Sequence, residues 1–307
     1  MIRTAHARAE PWPGLPSKER PRGDGSIRAL FEADATTAGE ARGNLSASLA
    51  RRYGGQLQIP LDPSQPTIVA NFVETLDGVV SMDADRSGGG DISGFSPADR
   101  FVMGLLRTLA DVVLVGAGTL RASRGRGWTG GGAFPAAAAE FADQRQKLGL
   151  HSNPTTLVMT ASGEVDLSHP GLSDPSVPVV VAGPDLALER LAGATLPAHV
   201  RLEKIGPDRP VGQEILAVAR RLGARLVLSE AGPHLAGQLI ASGAVDELFL
   251  TLSPQLAGRG PAARRLSLIE GTALWPDSPR WLRLLSARQA GDHLFLRYRF
   301  EETSDGR

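Results

Sequence analysis

Short apolar runs recur along the chain, separated by segments whose apolar residues fall at helical spacing. Residues 67–73, 112–115, 155–160, 177–182, 225–229 and 247–252 are too short for buried helices and read as strands. An Asp77-Gly78 turn follows the first run, and Val79 and Val80 are expected to continue in extended form beyond it. Ser96-Pro97-Ala98-Asp99 is a capping-box pattern with proline at the first helical position; Phe101, Val102, Leu105, Leu106 and Leu109 then recur at helical spacing. Residues 212–222, closed by Gly223, and 233–242, closed by Gly243, read as further helices. Such alternation buries its apolar faces in a parallel sheet covered on both sides. The end of the chain differs: residues 281–288, a Gly291-Asp292 turn and residues 293–300 read as an antiparallel hairpin.

The chain has 307 residues, enough for about two domains. Residues 1–25 hold four prolines and little apolar periodicity, and disorder is expected there. Residues 44–53 read as a weak helix ended by Gly54-Gly55, and Pro60, Pro63 and Pro66 as a stiff linker. The expected division is an N-terminal extension over 1–63, partly disordered with short helices, and a main domain over 64–307.

Charge and composition remove several classes of function. Lys+Arg and Asp+Glu both number 33, so no net charge favours nucleic acid or an anionic membrane as partner. The absence of cysteine excludes disulfides, thiolate zinc sites, iron–sulfur clusters and Cys nucleophiles. The six histidines show no metal-binding spacing, no G-x-S-x-G elbow is present, and the four tryptophans form no stacking ladder. No apolar run approaches the roughly 18 residues of a membrane span, and the N-terminus has no apolar signal core. A cytoplasmic protein without metal, membrane or nucleic-acid partner is expected.

Three motifs lie at the carboxyl ends of the expected strands, where open α/β sheets bind ligands. In Glu230-Ala231-Gly232-Pro233-His234-Leu235, Gly232 permits a tight turn and Pro233 presets the first helical turn. The free N–H groups of residues 234–237 then face outward at the positive end of a helix, which suits a phosphate or pyrophosphate; an ordinary strand-to-helix turn fits equally. In Gly116-Ala117-Gly118-Thr119-Leu120-Arg121, two glycines allow close backbone approach and the Thr119 hydroxyl suits a phosphate or ribose. Arg121 breaks the G-x-G-x-x-G pattern, and a tight strand-exit loop is an equal reading. Arg121 and Arg124 are either solvated or partners for a 2′-phosphate. In Thr75-Leu76-Asp77-Gly78, Asp77 either faces a polar ring or bonds its own turn. Asp99 is either a helix-start carboxylate or a pocket residue. Glu230, at a strand end, is the strongest carboxylate candidate.

In this order the motifs resemble the reductase domain of riboflavin biosynthesis, the C-terminal half of the bifunctional deaminase–reductase, which also occurs as free-standing pyrimidine reductases. The resemblance rests on Asn71-Phe72-Val73-Glu74-Thr75-Leu76-Asp77-Gly78, Asp99-Arg100, Leu106-Arg107, residues 110–119, residues 230–237 and residues 245–254, and covers roughly residues 66–300. It implies a dihydrofolate-reductase-like fold, here an α/β twisted mixed sheet, mostly parallel, with a C-terminal antiparallel hairpin. It further implies a homodimer and NADPH as cofactor, with NADH as the less common choice.

The family's pyrophosphate turn matches Gly232, Pro233, His234, Leu235 and Ala236. Its second nucleotide loop matches Gly116, Ala117, Gly118, Thr119 and Leu120, and Thr160 lies on the adenosine side. The substrate side falls on Asn71, Thr75, Asp77, Asp99 and Glu230, with Glu230, Asp99 and Asp77 as the candidate catalytic acids. In the family, hydride passes from nicotinamide C4 to C1′ of a ribosylamino-pyrimidine phosphate, giving a ribitylamino group. The chain departs from the family where Ala231 replaces a glycine, and where residues 122–128 lack the family's acidic pair and proline. Two alternatives follow: a pterin substrate such as dihydrofolate on the same fold, gripped by Asp99 or Glu230, and a catalytically silent nucleotide-binding module.

Overall fold

Twelve strands and nine helices are seen in a computed structural model that describes residues 26–33, 39–82, 88–123, 127–193, 196–206, 211–260 and 265–301. The strands are β1 (Arg28–Glu32), β2 (Ala41–Gly43), β3 (Gln58–Pro60), β4 (Thr67–Thr75), β5 (Val112–Gly116), β6 (Thr155–Met159), β7 (Val179–Gly183), β8 (Val200–Lys204), β9 (Leu226–Ser229), β10 (Glu247–Ser253), β11 (Leu282–Ala290) and β12 (His293–Phe300). The helices are α1 (Ala47–Tyr53), α2 (Gly88–Ile92), α3 (Pro97–Leu109), α4 (Ala117–Ala122), α5 (Gly130–Ala133), α6 (Ala138–Lys147), α7 (Asp185–Ala192), α8 (Val211–Arg221) and α9 (Pro233–Ala241).

Ten strands form one sheet in the order β1-β11-β12-β10-β4-β9-β5-β6-β7-β8, and β2 pairs with β3. From β10 to β8 every pairing is parallel; β10–β12, β12–β11 and β11–β1 are antiparallel. The mostly parallel sheet and its C-terminal hairpin match the expected fold class. Period-2 alternation in β4 divides the core: Val69 joins Leu49, Phe101, Leu105 and Phe141, while Ile68, Ala70 and Phe72 join Ile215, Val218, Leu239 and Ile240. Each such large side chain contributes about 1.5–3 kcal/mol on burial.

Helix α3 starts as its sequence directs. The Ser96 hydroxyl accepts from the Asp99 N–H, and Pro97 stands at the first helical position. Its other end is closed by buried Arg145, which donates to the carbonyls of Thr108 at 2.9 Å and Ala110 at 2.7 Å.

Three features differ from expectation. Residues 26–33 and 39–61 contribute to the main sheet and core: β1 pairs with β11, and Leu49, Tyr53, Leu57 and Ile59 are buried in the same cluster as Phe101. The division at residue 63 therefore separates no cores. Val79 and Val80 do not continue a strand, because the Val79 N–H bonds the Thr75 hydroxyl and its carbonyl accepts from the Thr75 N–H, closing a tight turn. Gly116 to Thr119 is not only a turn; it opens the short helix α4. The disorder expected for residues 1–25, and residue Arg124, lie outside the described residues.

Candidate active site

The carboxyl ends of β5 and β9 are neighbours, and a glycine starts a helix at each. Gly116 caps α4 and Gly232 caps α9, neither with a side-chain hydrogen bond, so first-turn amides stay available. The two loops abut. A Cβ on Gly232 would sit 3.2 Å from Thr119 Oγ1, and one on Gly116 would sit 3.9 Å from a Leu235 methyl. Ala117, Leu120 and Ala236 are buried and anchor these turns, so they offer a ligand only backbone. Gly118 has open space around it apart from Arg121.

His234 is on the side of α9 that meets residues 267–271: a Cβ on Gly271 would lie 3.3 Å from its Nδ1, and the Glu270 N–H donates to the Pro233 carbonyl. Thr160 is buried, and its hydroxyl accepts from the Gly163 N–H at 2.9 Å. Arg121 donates to the Glu164 carbonyl at 2.9 Å, which ties α4 to the turn after Thr160.

The acidic residues separate into three states. Glu230 makes a two-pronged pair with Arg107: Nε to Oε1 at 2.7 Å and Nη2 to Oε2 at 2.6 Å, both side chains largely buried. Glu230 is therefore not a free carboxylate in this structure. Asp77 is engaged on both oxygens: it accepts from the Thr75 hydroxyl, from Ala257 N at 3.0 Å and from Gly258 N at 2.7 Å. The Ala257 bond, the Thr75 hydroxyl and the Gly258 bond hold its carboxyl far below the ordinary range. In this structure Asp77 fastens the loop after β10. The Thr75 hydroxyl is engaged in the same turn, by Asp77 and Val79.

Asp99 differs from both. It is half-buried in the first turn of α3, and burial raises its carboxyl above the ordinary range. The hydroxyls of Thr251 and Ser93 and nearby His293 favour its ionised form, and Glu230 opposes it. Asn71 lies on β4 next to Phe249 of β10 and lines a small space with Val102 and Thr251.

Sequence reasoning named Asp99 and Glu230 but not their partners Arg107, Ser93, Thr251 and His293. Arg107 carried a signal, a basic residue in the otherwise apolar last turns of α3. Thr251 and His293 carried none, since they lie on β10 and β12, far from Asp99 in sequence; Ser93 lies six residues before it, in the turn that leads into α3. Among the described residues no group of three His, Asp or Glu forms a metal site, and no helix is long and apolar enough to cross a membrane.

The carboxyl edge of this mixed α/β sheet thus brings together two abutting glycine-started helices and a half-buried acid. Residues 66–294 match the family model of the RibD C-terminal domain, and the chain belongs to that family. A relative from Archaeoglobus fulgidus, named 2,5-diamino-6-ribosylamino-4(3H)-pyrimidinone 5′-phosphate reductase, is 25% identical over 194 residues, covering 63% of this chain and 83% of that protein. A pyrimidine reductase-like protein from Corynebacterium diphtheriae shares the fold with TM-score 0.58 at 22% identity, over 77% of this chain and 92% of that one. RibD of Acinetobacter baumannii does so with TM-score 0.56 at 20% identity; the match covers 78% of this chain and 59% of that longer chain.

Proposed function

We propose that this chain is an NADPH-dependent reductase of a ribosylamino-pyrimidine 5′-phosphate, converting the ribosyl group to ribityl. The name of the Archaeoglobus relative and the family match support the substrate class. The observation that carries the cofactor is the contact between the uncapped start of α9 and the Gly116–Thr119 loop. A dinucleotide needs two such surfaces: amides at a helix start for its pyrophosphate, and a backbone open to close approach. Gly232 and the amides of His234 and Leu235 would hold the pyrophosphate, the Ala236 N–H being already bonded to the Gly232 carbonyl at 3.0 Å; the Gly116–Thr119 backbone would hold the adjoining ribose, and the turn at Thr160 the adenosine side.

When bound, the reduced nicotinamide supplies the hydride. The chain's own residues provide orientation and a proton. The reacting form is the open-chain imine; its carbon C1′ takes the hydride and its nitrogen takes a proton. Asp99 is the proton donor, because half-burial keeps its carboxyl protonated further up the pH range than an ordinary aspartate. The Arg107–Glu230 pair binds the polar pyrimidine edge while presenting little net charge. Asp77 acts by fixing residues 257–259 at the end of β4.

A cytoplasmic location and a homodimer complete the reading. Leu250, Leu252, Leu294 and Leu296 form half-buried cross-strand pairs on one face of β10 and β12, a surface suited to a second copy. Light scattering at micromolar concentration tests it, and a monomer there removes the dimer.

The main test is an NADPH titration of the purified chain, followed by NADPH oxidation with the ribosylamino-pyrimidine phosphate and, separately, with dihydrofolate. Binding and turnover of the pyrimidine are expected. Turnover of dihydrofolate alone would move the site to pterins, and no binding of NADPH or NADH at millimolar concentration would leave no reductase.

A further inference from the structure

We infer that His293 is a positioning residue for Asp99 and supplies the counter-charge to its carboxylate once the proton has left. This rests on the reading of Asp99 as proton donor. His293 opens β12 two residues before Phe295, on the same face, and Phe295 is the register partner of Thr251 on β10. Its Nε2 lies 2.9 Å from the carbonyl oxygen of Ser93. A carbonyl only accepts, so Nε2 carries the hydrogen, and Nδ1 is the basic atom of the neutral ring.

The Ser93 carbonyl also accepts from the Ser96 N–H at 3.2 Å, and Ser96 caps the helix that bears Asp99. The imidazole therefore braces the turn that leads into α3. Ser93 is buried, and its hydroxyl is one of the two facing the Asp99 carboxyl.

Among the described residues the charged groups acting on Asp99 are His293 from β12 and Glu230 from the end of β9. Glu230 is already paired with Arg107 of α3. That leaves the imidazole, when protonated, as the cation serving Asp99. In the reduction the imine carbon gains hydride from the cofactor, the imine nitrogen gains the Asp99 proton, and solvent re-protonates Asp99. A carboxylate left behind in a half-buried site is poorly solvated, and a neighbouring imidazolium offsets that cost.

The test is a carbon-13 NMR titration of the Asp99 carboxyl in the full chain and in His293→Gln. Glutamine keeps a donor for the Ser93 carbonyl and removes the ionisable ring. The Asp99 midpoint is expected to move upward by about half a unit or more in this variant. The alkaline limb of kcat should move with it, while KM and NADPH affinity stay within about twofold, as befits a residue acting through another. His293→Ala also loses the brace, and its kcat should fall about tenfold below that of His293→Gln. An unmoved Asp99 midpoint in His293→Gln overturns the inference even with turnover intact. A wild-type chain that oxidises no NADPH overturns the reading of the site, while the NMR titration still decides whether His293 and Asp99 are coupled.

Discussion

Asp99 and Glu230 show how neighbours divide the work of two acids of the same chemistry. Asp99 is half-buried, and burial outweighs the hydroxyls and the imidazole beside it, so its proton is retained above the ordinary carboxylate range. Asp99→Asn is expected to lower kcat about a hundredfold and abolish the alkaline limb of the pH profile, with NADPH affinity unchanged. Steady-state kinetics across pH 5–9 checks it; an unchanged limb moves the proton source elsewhere. Glu230 has no such freedom, because Arg107 occupies both of its oxygens. Glu230→Gln leaves a buried guanidinium without its counter-ion, so it should cost about 3 kcal/mol in urea unfolding as well as raising KM for the pyrimidine. Loss of activity without loss of stability would mean that the pair is broken in the working enzyme. The positions of these two acids were legible in the sequence because one follows the end of a strand and the other starts a helix. The surroundings of Asp77 were not legible for a physical reason: a Thr-x-Asp-Gly turn has the same sequence whether its carboxylate faces a ligand or, as here, the amides of residues 257 and 258.

Helix α9 and the N-terminal segment mark the legible and illegible extremes of secondary structure. Gly232-Pro233 announced the start of α9, and the structure places that start against Thr119. Gly232→Asp would bring a Cβ within 3.2 Å of the Thr119 hydroxyl and a negative charge to the proposed pyrophosphate position. NADPH affinity, measured by fluorescence quenching, is expected to fall more than about tenfold, with little change in melting temperature; retained affinity would place the pyrophosphate elsewhere. In the N-terminal segment the sequence marked only helix α1, closed by Gly54. The segment's buried Leu49, Tyr53, Leu57 and Ile59 are spaced too irregularly to read as one element, and what fixes them is remote in sequence. Arg288 of β11, fully buried, stacks 4.2 Å from the Tyr53 ring and bonds Glu32 and Ser286 at 2.6 Å each. Arg297 of β12 reaches the Gln58 carbonyl at 2.7 Å. Arg288→Ala is therefore expected to cost about 3 kcal/mol by denaturant titration and to free β1 to exchange its amide hydrogens. A variant as stable as wild type would mean that the segment is held by its apolar contacts alone. Strand β8 was missed for a related reason: Val200-Arg201-Leu202-Glu203-Lys204 is a charged edge strand, and its pairing with β7 alone defines it.

The two ends of the sheet have opposite assignments. At the carboxyl ends of β4, β5 and β9 lie glycine-started helices and the half-buried Asp99, where groups are left able to meet a ligand. At the amino ends, carboxylates are consumed in fastening the strands. Asp111 accepts from the N–H groups of Arg225 and Leu226 at 2.8 Å each, and Glu247 is held by Arg297 and Arg299. Asp246 belongs to this end, accepting from the Ile68 N–H at 2.7 Å. Burial raises its carboxyl to about 6, against the Ile68 hydrogen bond and with Glu247 and Asp62 adding to the rise. The folded chain thus holds this proton more tightly than the unfolded chain, so stability from Asp246 is present below the ordinary carboxylate range and is lost as pH rises through about 6. Asp246→Asn keeps an oxygen for the Ile68 N–H and carries no charge. It is expected to be more stable than wild type by about 2 kcal/mol at pH 8 and equal to it near pH 4, read from urea unfolding at both values. NADPH affinity should not change, because this end of the sheet lies away from the proposed cofactor loops. Equal stability at both pH values would show that Asp246 stays solvated and ionised, and that the amino ends of the strands are less closed than their hydrogen bonds indicate.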